Sequence, residues 1–500
     1  MFGKKVYSFH KGLFSYNALD FSKHSSFVKE LILEKIYPTK IIVPMKQNYG
    51  MPAIPTVSVG DKVCIGQCIG VPAKGSFAIP VHSGVSGTVK DIRDITLPNG
   101  IKTAAVEIIC DMKREKHESL VQRKDTDLSG SDLIGIVRDA GICGMGGEGI
   151  PTFAKLARAR QHVVSELLVN CLQSEPFATS DLMVVSEYPK YVVMGAAACA
   201  RCCGAKKVRF LISEKRKLEQ EAIRTAIDNV RKDYGDLEFS IDLFKDRFPQ
   251  GYYRLVAKAL YGVDMGPEDT LEETCGALMF NCSTVCACWE AVADNIPMMS
   301  RVVTVTDDMG NGHNVLVPIG TPVIEVLNTV NNTVETGSKI IWGNAFTGIS
   351  IDNTENVPIT KTTSAITVIR KMDTPRTPCI HCGLCVENCP MSLSPNIIYE
   401  MLFQGMEHKA SKEGARNCIS CGTCSYVCPA GIDLTGMIAR FANEGRIIEE
   451  NSLLHNGRFQ YDKKIIGDLT LLEQYNKRDE HKETYDDDSI ILPFEGGKKV

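Results

Sequence analysis

The sequence of 500 residues contains no uncharged apolar run of about 18 residues, the length that a membrane-spanning helix needs. The nearest stretch, VVMGAAACARCCGAKK, is too short, so we expect no transmembrane segment in this chain. The N-terminus also lacks the charged, apolar and small-residue regions of a signal peptide. We therefore expect a cytoplasmic protein, or one that is peripheral to the inner face of the membrane.

An excess of basic charge is also missing. The chain has 56 Lys and Arg against 60 Asp and Glu, which gives a net charge of -4. Nucleic acid is therefore not an expected partner, because nucleic-acid-binding proteins carry a basic surface. The hydrophobic content of 44% is ordinary for a globular protein, and the length predicts roughly three to four domains.

Cysteine, in contrast, is abundant, with 20 residues. In a chain without a secretion signal these thiols are expected to stay reduced, to bind metal or to do redox work. Eight of them stand in two matching stretches, each followed by a proline (Pro390 and Pro429). The first stretch contains Cys379, Cys382, Cys385 and Cys389, and the second contains Cys418, Cys421, Cys424 and Cys428.

The spacing in both stretches is C-x2-C-x2-C-x3-C-P, which is typical of bacterial two-cluster ferredoxins. Three cysteines of one loop hold three irons of a cluster, and the fourth cysteine reaches over to the other cluster. Zinc ribbons are the alternative, but they use C-x2-C pairs and need no third cysteine at this spacing. The sequence therefore predicts two [4Fe–4S] clusters, one held by Cys379, Cys382, Cys385 and Cys428, the other by Cys418, Cys421, Cys424 and Cys389.

Strand and helix patterns predict a multidomain protein of mixed α/β and α+β class. Short strands joined by Gly-Asp and Ser-Gly turns over residues 40–118 resemble the biotinyl/lipoyl-like barrel-sandwich hybrid. Strands alternate with helices over 128–300, as in a layered α/β sheet. A strand–turn–strand–helix order over 301–350 predicts a small β-grasp module. The other expected parts are an irregular N-terminal segment (1–39), the two-cluster ferredoxin domain (370–448) and a charged tail (451–500).

A glycine-rich loop, DAGICGMGGEGIPTFAKL from Asp139, is the second strong signal. Its glycines would let the backbone approach a phosphate or a ring without a side-chain clash. Pro151 and Thr152 then open a helix, whose N-terminus favours an anion, and Lys155 adds positive charge there. The loop lacks the G-x-G-x-x-G pattern, so the dinucleotide-binding fingerprint does not apply. Taken alone, this loop is equally compatible with a plain turn.

Four stretches together resemble a known family. GMGGEGIPTFAK resembles the GxGGAGFPTxxK flavin loop shared by the NADH-binding flavoprotein subunit of respiratory complex I and the C subunit of the Rnf complex. NCLQSEPFATSD from Asn170, RFPQGYYRLVAKAL from Arg247 and FNCSTVCA from Phe280 resemble further segments of the Rnf subunit or of both proteins. The order of parts also matches: barrel-sandwich, complex I flavoprotein-like FMN domain, soluble-ligand-binding (SLBB) β-grasp and two-cluster ferredoxin. The resemblance covers roughly residues 40–445.

This resemblance implies an NADH- or ferredoxin-linked oxidoreductase with FMN and two [4Fe–4S] clusters. NADH, or another donor, would exchange electron pairs with the flavin, and the clusters would carry single electrons to a redox partner protein. That partner would be a reductase or a membrane Rnf-type complex. By the same resemblance, the FMN contacts would be Gly144, Gly146, Gly147, Gly149, Lys155, Asn170, Glu175, Gly251, Asn281 and Thr284.

The chain also departs from the family pattern. Glu148-Gly149-Ile150 stands where the family has Ala-Gly-Phe, and Gln173 replaces the first acid of Glu-x-Glu-Pro. These changes weaken the expectation of NADH binding more than that of FMN binding. The divergence resembles the electron-transfer protein associated with D-proline reductase, which this chain would then feed. Two alternatives stay open, namely the peripheral NADH-oxidising C subunit of a membrane Rnf-type complex, and a ferredoxin-type adaptor whose flavin site has decayed.

Several residues allow a second interpretation. Cys143, beside the glycine loop, is either a redox-active catalytic thiol or a small buried residue, and Cys171 has the same two interpretations. Glu175 is either a polar cofactor contact or an acid at a helix N-terminus. Six other cysteines lie in apolar runs, where core packing is favoured over a third metal site. They are Cys199, Cys202, Cys203, Cys282, Cys286 and Cys288.

Overall fold

The computed structural model describes residues 5–9, 11–14, 33–73, 78–123, 128–173, 175–307, 312–330, 337–369 and 376–442. The expected tail (451–500) and the end of the expected ferredoxin domain (443–448) lie outside the described residues. Within the described part of the chain, no helix combines the length and the apolar character that crossing a membrane requires.

The secondary structure alternates between short strands and short helices. The strands are β1 (Val6–Tyr7), β2 (Leu13–Phe14), β3 (Leu33–Lys35), β4 (Lys40–Pro44), β5 (Ala53–Pro55), β6 (Lys62–Val63), β7 (Cys68–Pro72), β8 (Val81–His82), β9 (Gly87–Thr96), β10 (Lys102–Cys110), β11 (Glu166–Asn170), β12 (Lys207–Ser213), β13 (Glu238–Phe244), β14 (Arg247–Phe248), β15 (Ala277–Asn281), β16 (Ser300–Asp307), β17 (Gly312–Pro318), β18 (Lys339–Trp342), β19 (Ile349–Ile351) and β20 (Ala365–Ile369). The helices are α1 (Gly130–Asp139), α2 (Thr152–Ala159), α3 (Ser180–Glu187), α4 (Pro189–Cys203), α5 (Lys217–Val230), α6 (Tyr253–Tyr261), α7 (Leu271–Cys275), α8 (Cys282–Ala293), α9 (Val323–Thr329), α10 (Leu384–Glu387), α11 (Pro395–Phe403), α12 (Glu407–Lys412), a 3-10 turn (Ala415–Asn417), α13 (Thr423–Tyr426) and α14 (residues 434–442).

Two antiparallel sheets form the first region, as its short strands and turns predict. One has the order β4-β10-β9-β6 and the other β5-β7-β8. Their apolar core includes Ile41, Ile69 and Val106. At the start of β9, a Cβ on Gly87 would lie 2.1 Å from the carbonyl oxygen of Ile109, so glycine is required for this strand pairing. The arrangement fits the predicted barrel-sandwich class.

A parallel five-stranded sheet, with the order β1-β13-β12-β11-β15, forms the centre of the α/β region. Successive residues of β11 face opposite sides: Leu167 packs in the largest apolar core, while Leu168 packs against Val256 of α6. Both faces are therefore covered, which explains the continuous apolar run that this strand shows in the sequence.

Helices α4 and α8 pack closely beside this sheet. A Cβ on Gly195 would lie 1.9 Å from the carbonyl oxygen of Val285, so only glycine allows this approach. The six cysteines of the two helices are buried in the same core, and the thiols of Cys199 and Cys288 form a hydrogen bond. Among the described residues, no group of three or more His, Cys, Asp or Glu is placed to hold a metal ion. These facts support core packing of the six cysteines.

A six-stranded sheet, with the order β19-β18-β20-β16-β17-β3, follows in the chain. Helix α9 packs on it through Val323, Val326 and Leu327, which gives the predicted order of strand, turn, strand and helix. The sheet continues to Ile369, beyond the expected boundary at residue 350, because β20 pairs in parallel with the distant β16. Its identity as an SLBB module stays a prediction.

The N-terminal segment differs from the expected irregular chain. Strand β1 adds to the central sheet beside β13, β2 pairs with β14, and β3 joins the six-stranded sheet beside β17. Strands of two or three residues show no detectable periodicity, so their partners are set by the tertiary fold rather than by local sequence.

The two cysteine motifs lie in a small helical region built from α10 to α14. Its apolar core includes Ile398, Ala410, Leu434 and Ile438, together with the motif residue Cys385. The helix predicted between the motifs is present as two helices, α11 and α12, which end and begin around Gly405. This core brings the two motifs together.

Candidate functional site

Two asparagines meet at the carboxyl edge of the central sheet. Asn170 ends β11 and Asn281 ends β15, and the two residues are direct partners in the register of these parallel strands. In open parallel sheets, ligands bind at the carboxyl ends of the strands. Two of the residues predicted to contact FMN are thus placed side by side at such an edge.

The glycine loop lies against the same edge. The N–H of Gly144 donates to the carbonyl of Ile150 (2.8 Å), which closes the loop on itself. The N–H of Met145 donates to the hydroxyl of Thr284 (3.0 Å), and the carbonyl of Gly149 accepts from the N–H of Tyr49 (2.9 Å). The loop is therefore held between α8 and the barrel-sandwich region.

The tip of this loop leaves backbone uncovered. Gly147 has φ +117°, a conformation that favours glycine, and no atom lies within 4 Å of a Cβ placed there. A Cβ on Gly146 would lie 3.6 Å from Cβ of Asn281, so this glycine faces the end of β15. Together the two glycines present open backbone toward the edge where the asparagines meet.

Asn170 connects the sheet to the segment around Gly251. Its side-chain amide donates to the carbonyl of Gly251 (2.9 Å), and its side-chain oxygen accepts from the N–H of Leu172 (3.1 Å). A Cβ on Gly251 would lie 3.1 Å from the Asn170 amide nitrogen, which favours glycine here. Four predicted FMN contacts, Gly146, Asn170, Gly251 and Asn281, are thus brought together from four separate parts of the chain.

Asn281 also caps helix α8, since its side-chain oxygen accepts from the N–H of Ser283 (2.8 Å). Its amide donates to Asp181 (2.8 Å), and the hydroxyl of Ser283 donates to the same carboxylate (2.8 Å). Burial raises the pKa of Asp181, while these two hydrogen bonds oppose the shift. Asp181 therefore fixes the orientation of Asn281, a role that the sequence motif did not reveal.

Lys155 lies in α2, behind the loop. Its ammonium donates to the carbonyl of Met279 in β15 (2.6 Å) and lies 5.2 Å from the centre of the Phe280 ring. Burial lowers the pKa of Lys155, and the carboxylates of Glu272 and Glu148 oppose that shift. The charge is therefore anchored to the strand that ends at Asn281.

Glu175 occupies a different position from either sequence interpretation. Its carboxylate accepts hydrogen bonds from the N–H of Phe346 (2.9 Å) and from the hydroxyl of Thr347, both in the loop of residues 343–348 between β18 and β19. The first residue of α3 is Ser180, so Glu175 is not in its first turn. It connects the sheet edge to the 343–348 loop, and burial raises its pKa to about 7.

This raised pKa predicts a pH effect on stability. A carboxyl whose pKa is higher in the folded state contributes stability that is fully present below its unfolded pKa and is lost as pH rises through about 7. Replacing Glu175 by Gln should remove up to about 3 kcal/mol of that pH dependence. Thermal unfolding of wild type and Glu175→Gln at pH 5 and pH 8 measures it. An equal loss of melting temperature in both proteins would contradict the assignment to Glu175, and Glu187→Gln, on α3, is the matched control.

Cys143 is fully buried, and its thiol points toward the carbonyl oxygen of Gln47 (3.7 Å) in the barrel-sandwich region. Burial raises the thiol pKa, although Lys361 and Arg301 oppose this. A neutral thiol directed away from the loop tip favours the small buried residue over the redox-active one. Cys171 is also buried and forms a hydrogen bond with Cys282 in the same core.

Buried polar atoms without a partner lie beside the sheet edge. Gln250 is 2% exposed, and neither atom of its amide has a hydrogen-bond partner among the described residues. The hydroxyl of Thr152, at the start of α2, is likewise buried and unpaired in the described part of the chain. Buried polar groups normally have partners. Open glycine backbone with such unpaired donors and acceptors fits a flavin, whose ring and phosphate offer hydrogen-bonding atoms.

The second cysteine motif forms one cavity with a residue of the first. Cys418, Cys421 and Cys424 line this cavity together with Cys389, as the crossed spacing predicts. The rest of the lining is mostly apolar and includes Leu393 and Ile438. Four thiols around an apolar cavity match the donor set of a [4Fe–4S] cluster.

The first motif repeats the backbone of the second at an offset of 39 residues. His381 and Ser420 have φ +53° and +56°, and Gly383 and Gly422 both have φ +80°. A short helix begins after each glycine, so Cys385 and Cys424 take equivalent positions. Cys385 packs in the apolar core that Cys428 also contacts, which is the placement expected for the other crossed cluster.

The cluster region docks on the flavin side of the chain through contacts that no sequence signal indicated. Phe346 lies 5.2 Å from the ring of Phe248 and 4.9 Å from the ring of Tyr426. Arg254, on α6, donates to the side-chain oxygen (3.1 Å) and carbonyl (3.3 Å) of Asn417, next to Cys418. The two candidate sites are therefore in direct contact through one apolar and one polar connection.

Comparison with known families agrees with this arrangement. Three family descriptions match: the RnfC barrel sandwich hybrid domain over residues 7–113, the Nuo51 FMN-binding domain over 137–290, and the 4Fe-4S dicluster domain over 377–432. The predicted barrel-sandwich, flavin and two-cluster ferredoxin classes are thereby confirmed, and so are FMN and [4Fe–4S] clusters as the cofactors.

Curated relatives extend over most of the chain. The C subunit of a proton-translocating ferredoxin:NAD(+) oxidoreductase complex from Clostridium ljungdahlii is 30% identical over 75% of this chain and 81% of its own length. The Na(+)-translocating counterpart from Acetobacterium woodii is 30% identical over 76% of this chain and 84% of its own. The C protein of the ion-translocating oxidoreductase complex from Yersinia enterocolitica is also 30% identical, and this chain spans 53% of its length.

Among solved structures, the NAD+-reducing [NiFe]-hydrogenase in the air-oxidized state matches with a TM-score of 0.47 and 15% identity, over 64% of this chain and 62% of that chain. This likeness is too weak to add to the curated relatives. Their identity and coverage confirm the resemblance seen in the four flavin-domain stretches. The chain belongs to the RnfC family, the C subunits of ion-translocating ferredoxin:NAD(+) oxidoreductase complexes.

Proposed function

We propose that this chain carries electrons between NADH at its FMN site and a partner protein at its iron–sulfur clusters. Flavin and [4Fe–4S] electron transfer follows from the matched domains. The observation that supports a single path is the contact between the two sites, in which Phe346 bridges the 343–348 loop beside Glu175 and the loop that holds Cys421.

We assign the flavin contacts to the residues that meet at the sheet edge. Gly146 and Gly147 would give backbone access, Asn170 and Asn281 would offer side-chain amides, and Thr284 would hold the loop in place through Met145. Gln250 adds an unpaired amide next to Gly251. A bound flavin exchanges electrons in pairs with a nicotinamide and singly with iron–sulfur clusters. Lys155, held on the carbonyl of Met279, would supply positive charge behind the loop.

NADH as the donor is supported by the names of the relatives, which describe ferredoxin:NAD(+) oxidoreductase complexes. The departures at Glu148, Ile150 and Gln173 are the reason to test it directly. Anaerobic purification should yield about one FMN and two clusters per chain. Titration with NADH should then bleach the flavin band, whereas full flavin content without bleaching would point to another donor. Absence of FMN beside intact clusters would instead support the adaptor with a decayed flavin site.

The acceptor has two candidates. The relatives' names favour a membrane-bound ion-translocating complex, to which this chain would be peripheral at the inner face. The departures at Ile150 and Gln173 favour a cytoplasmic electron carrier that feeds a reductase such as D-proline reductase. Fractionation of cells that produce the tagged chain distinguishes them: recovery with integral membrane proteins supports the complex, and recovery with a reductase supports the second candidate.

A further inference from the structure

The two cluster motifs differ in exposure although their backbones repeat. In the first motif, Cys379 and Cys382 are exposed, and Ile380 between them is 62% exposed. In the second, Cys418 and Cys421 are partly covered, and Thr423 is fully buried where the first motif has the exposed Leu384. Matching backbones with different cover indicate different surroundings rather than different local folds.

The cover over the second motif comes from the flavin side of the chain. A Cβ on Gly422 would lie 2.8 Å from the carbonyl oxygen of Phe346 and 3.0 Å from its side chain. Phe248, Phe346, Cys421 and Val427 form one apolar cluster, and Phe248 lies two residues before Gln250. The second motif therefore lies against the segment that leads to the flavin site.

We infer that the cluster of Cys389, Cys418, Cys421 and Cys424 exchanges electrons with the flavin, and that the cluster of Cys379, Cys382, Cys385 and Cys428 exchanges them with a partner that docks on the exposed first-motif loop. This assignment of order rests on the proposed function. The partner is a separate protein with a one-electron centre, because an exposed cluster between apolar side chains suits brief contact with another redox protein. Electron-transfer contacts of this kind are small.

The electron balance is simple. Each transfer moves one electron from the second-motif cluster to the first-motif cluster, and then to the one-electron acceptor, without making or breaking a covalent bond. Oxidised cytochrome c is a suitable probe, since its ferric haem takes one electron and its size restricts it to surface sites. Holoprotein reduced with one equivalent of dithionite per centre supplies the electrons, so the test needs no NADH.

Stopped-flow mixing with cytochrome c should show a fast phase in wild type. Cys382→Ala, which removes the exposed cluster, should slow that phase at least tenfold while the second-motif cluster keeps its electron paramagnetic resonance signal. Cys424→Ala should keep a fast one-electron phase but delay flavin reoxidation. A fast phase that survives in Cys382→Ala and disappears in Cys424→Ala would overturn the order. Because the fast phase comes from the clusters, it reports on the exit even if the protein holds no flavin.

A surface variant tests the docking loop without removing a ligand. Ile380→Lys places a positive charge beside the exposed cluster and should slow the second-order reaction with the cationic cytochrome c several-fold. Val163→Lys is the matched control, since Val163 is 91% exposed and lies before β11, at the opposite edge of the sheet. Equal rates for the two variants, with both clusters intact, would show that the partner does not dock at Ile380.

Discussion

Cys389→Ala removes the cluster of the second motif and leaves the cluster of its own motif in place. Iron should fall from about eight toward about four atoms per chain, as expected for the loss of one of two [4Fe–4S] clusters. The reason is geometric, because Cys389 lies in the cavity lined by Cys418, Cys421 and Cys424. Iron analysis and electron paramagnetic resonance of the reduced protein measure the loss.

Thiol labelling shows which cluster was lost. In Cys389→Ala, anaerobic treatment with iodoacetamide followed by mass spectrometry should label Cys418, Cys421 and Cys424, while Cys379 and Cys382 stay protected by iron. Labelling of Cys379 and Cys382 instead would contradict the crossed assignment. Cys64→Ala is the control, since Cys64 is a half-buried cysteine of the barrel-sandwich region, outside both motifs.

Gly146→Ala should abolish stable FMN binding while the protein stays folded. Gly146 does not need a positive φ, and the nearest protein atom to the added Cβ is 3.6 Å away, an ordinary contact distance. The methyl group would therefore be tolerated by the protein, yet it would occupy the backbone face that we assign to the flavin. An overlap that costs about 1–3 kcal/mol lowers FMN affinity roughly 5- to 100-fold.

Acid-released FMN per chain, with iron content and melting temperature measured in parallel, checks this expectation. Gly235→Ala is the matched control: it also lacks a positive φ, its nearest atom is 4.0 Å away, and it lies in a turn after α5. A full complement of FMN in Gly146→Ala would remove Gly146 from the flavin site. Loss of both FMN and iron would indicate a folding defect, and Gly144→Ala, with a nearest atom at 3.6 Å, then provides the second variant.

The cluster ligands could be predicted from sequence because their chemistry is encoded by local spacing. Each motif places three thiols on one tight loop, and the positive-φ glycines Gly383 and Gly422 are part of the same short segment. The crossing of Cys389 to the other motif followed from the same spacing, and the structure places it in the predicted cavity. Little of that geometry depends on the remaining fold.

The flavin site was only partly predictable. Asn170, Gly251 and Asn281 were named from resemblance, but their convergence depends on parallel pairing of β11 with β15 and on the bond from Asn170 to Gly251. Asp181 and Gln250 escaped prediction because an acid or an amide in an apolar segment has no distinctive spacing. Glu175 was named, but its partners Phe346 and Thr347 lie 171 and 172 residues further along the chain.

The sequence by itself determined the cofactor classes of this protein: two clusters from repeated cysteine spacing, and a flavin loop from glycines followed by a helix start. Only the tertiary structure decided how the sites relate to one another. Phe346, Arg254 and Gly422 bring one cluster against the flavin side and leave the loop of Cys379 and Cys382 exposed. Local spacing encodes which atoms bind a cluster, whereas burial depends on side chains that are distant in sequence and meet only when the domains pack.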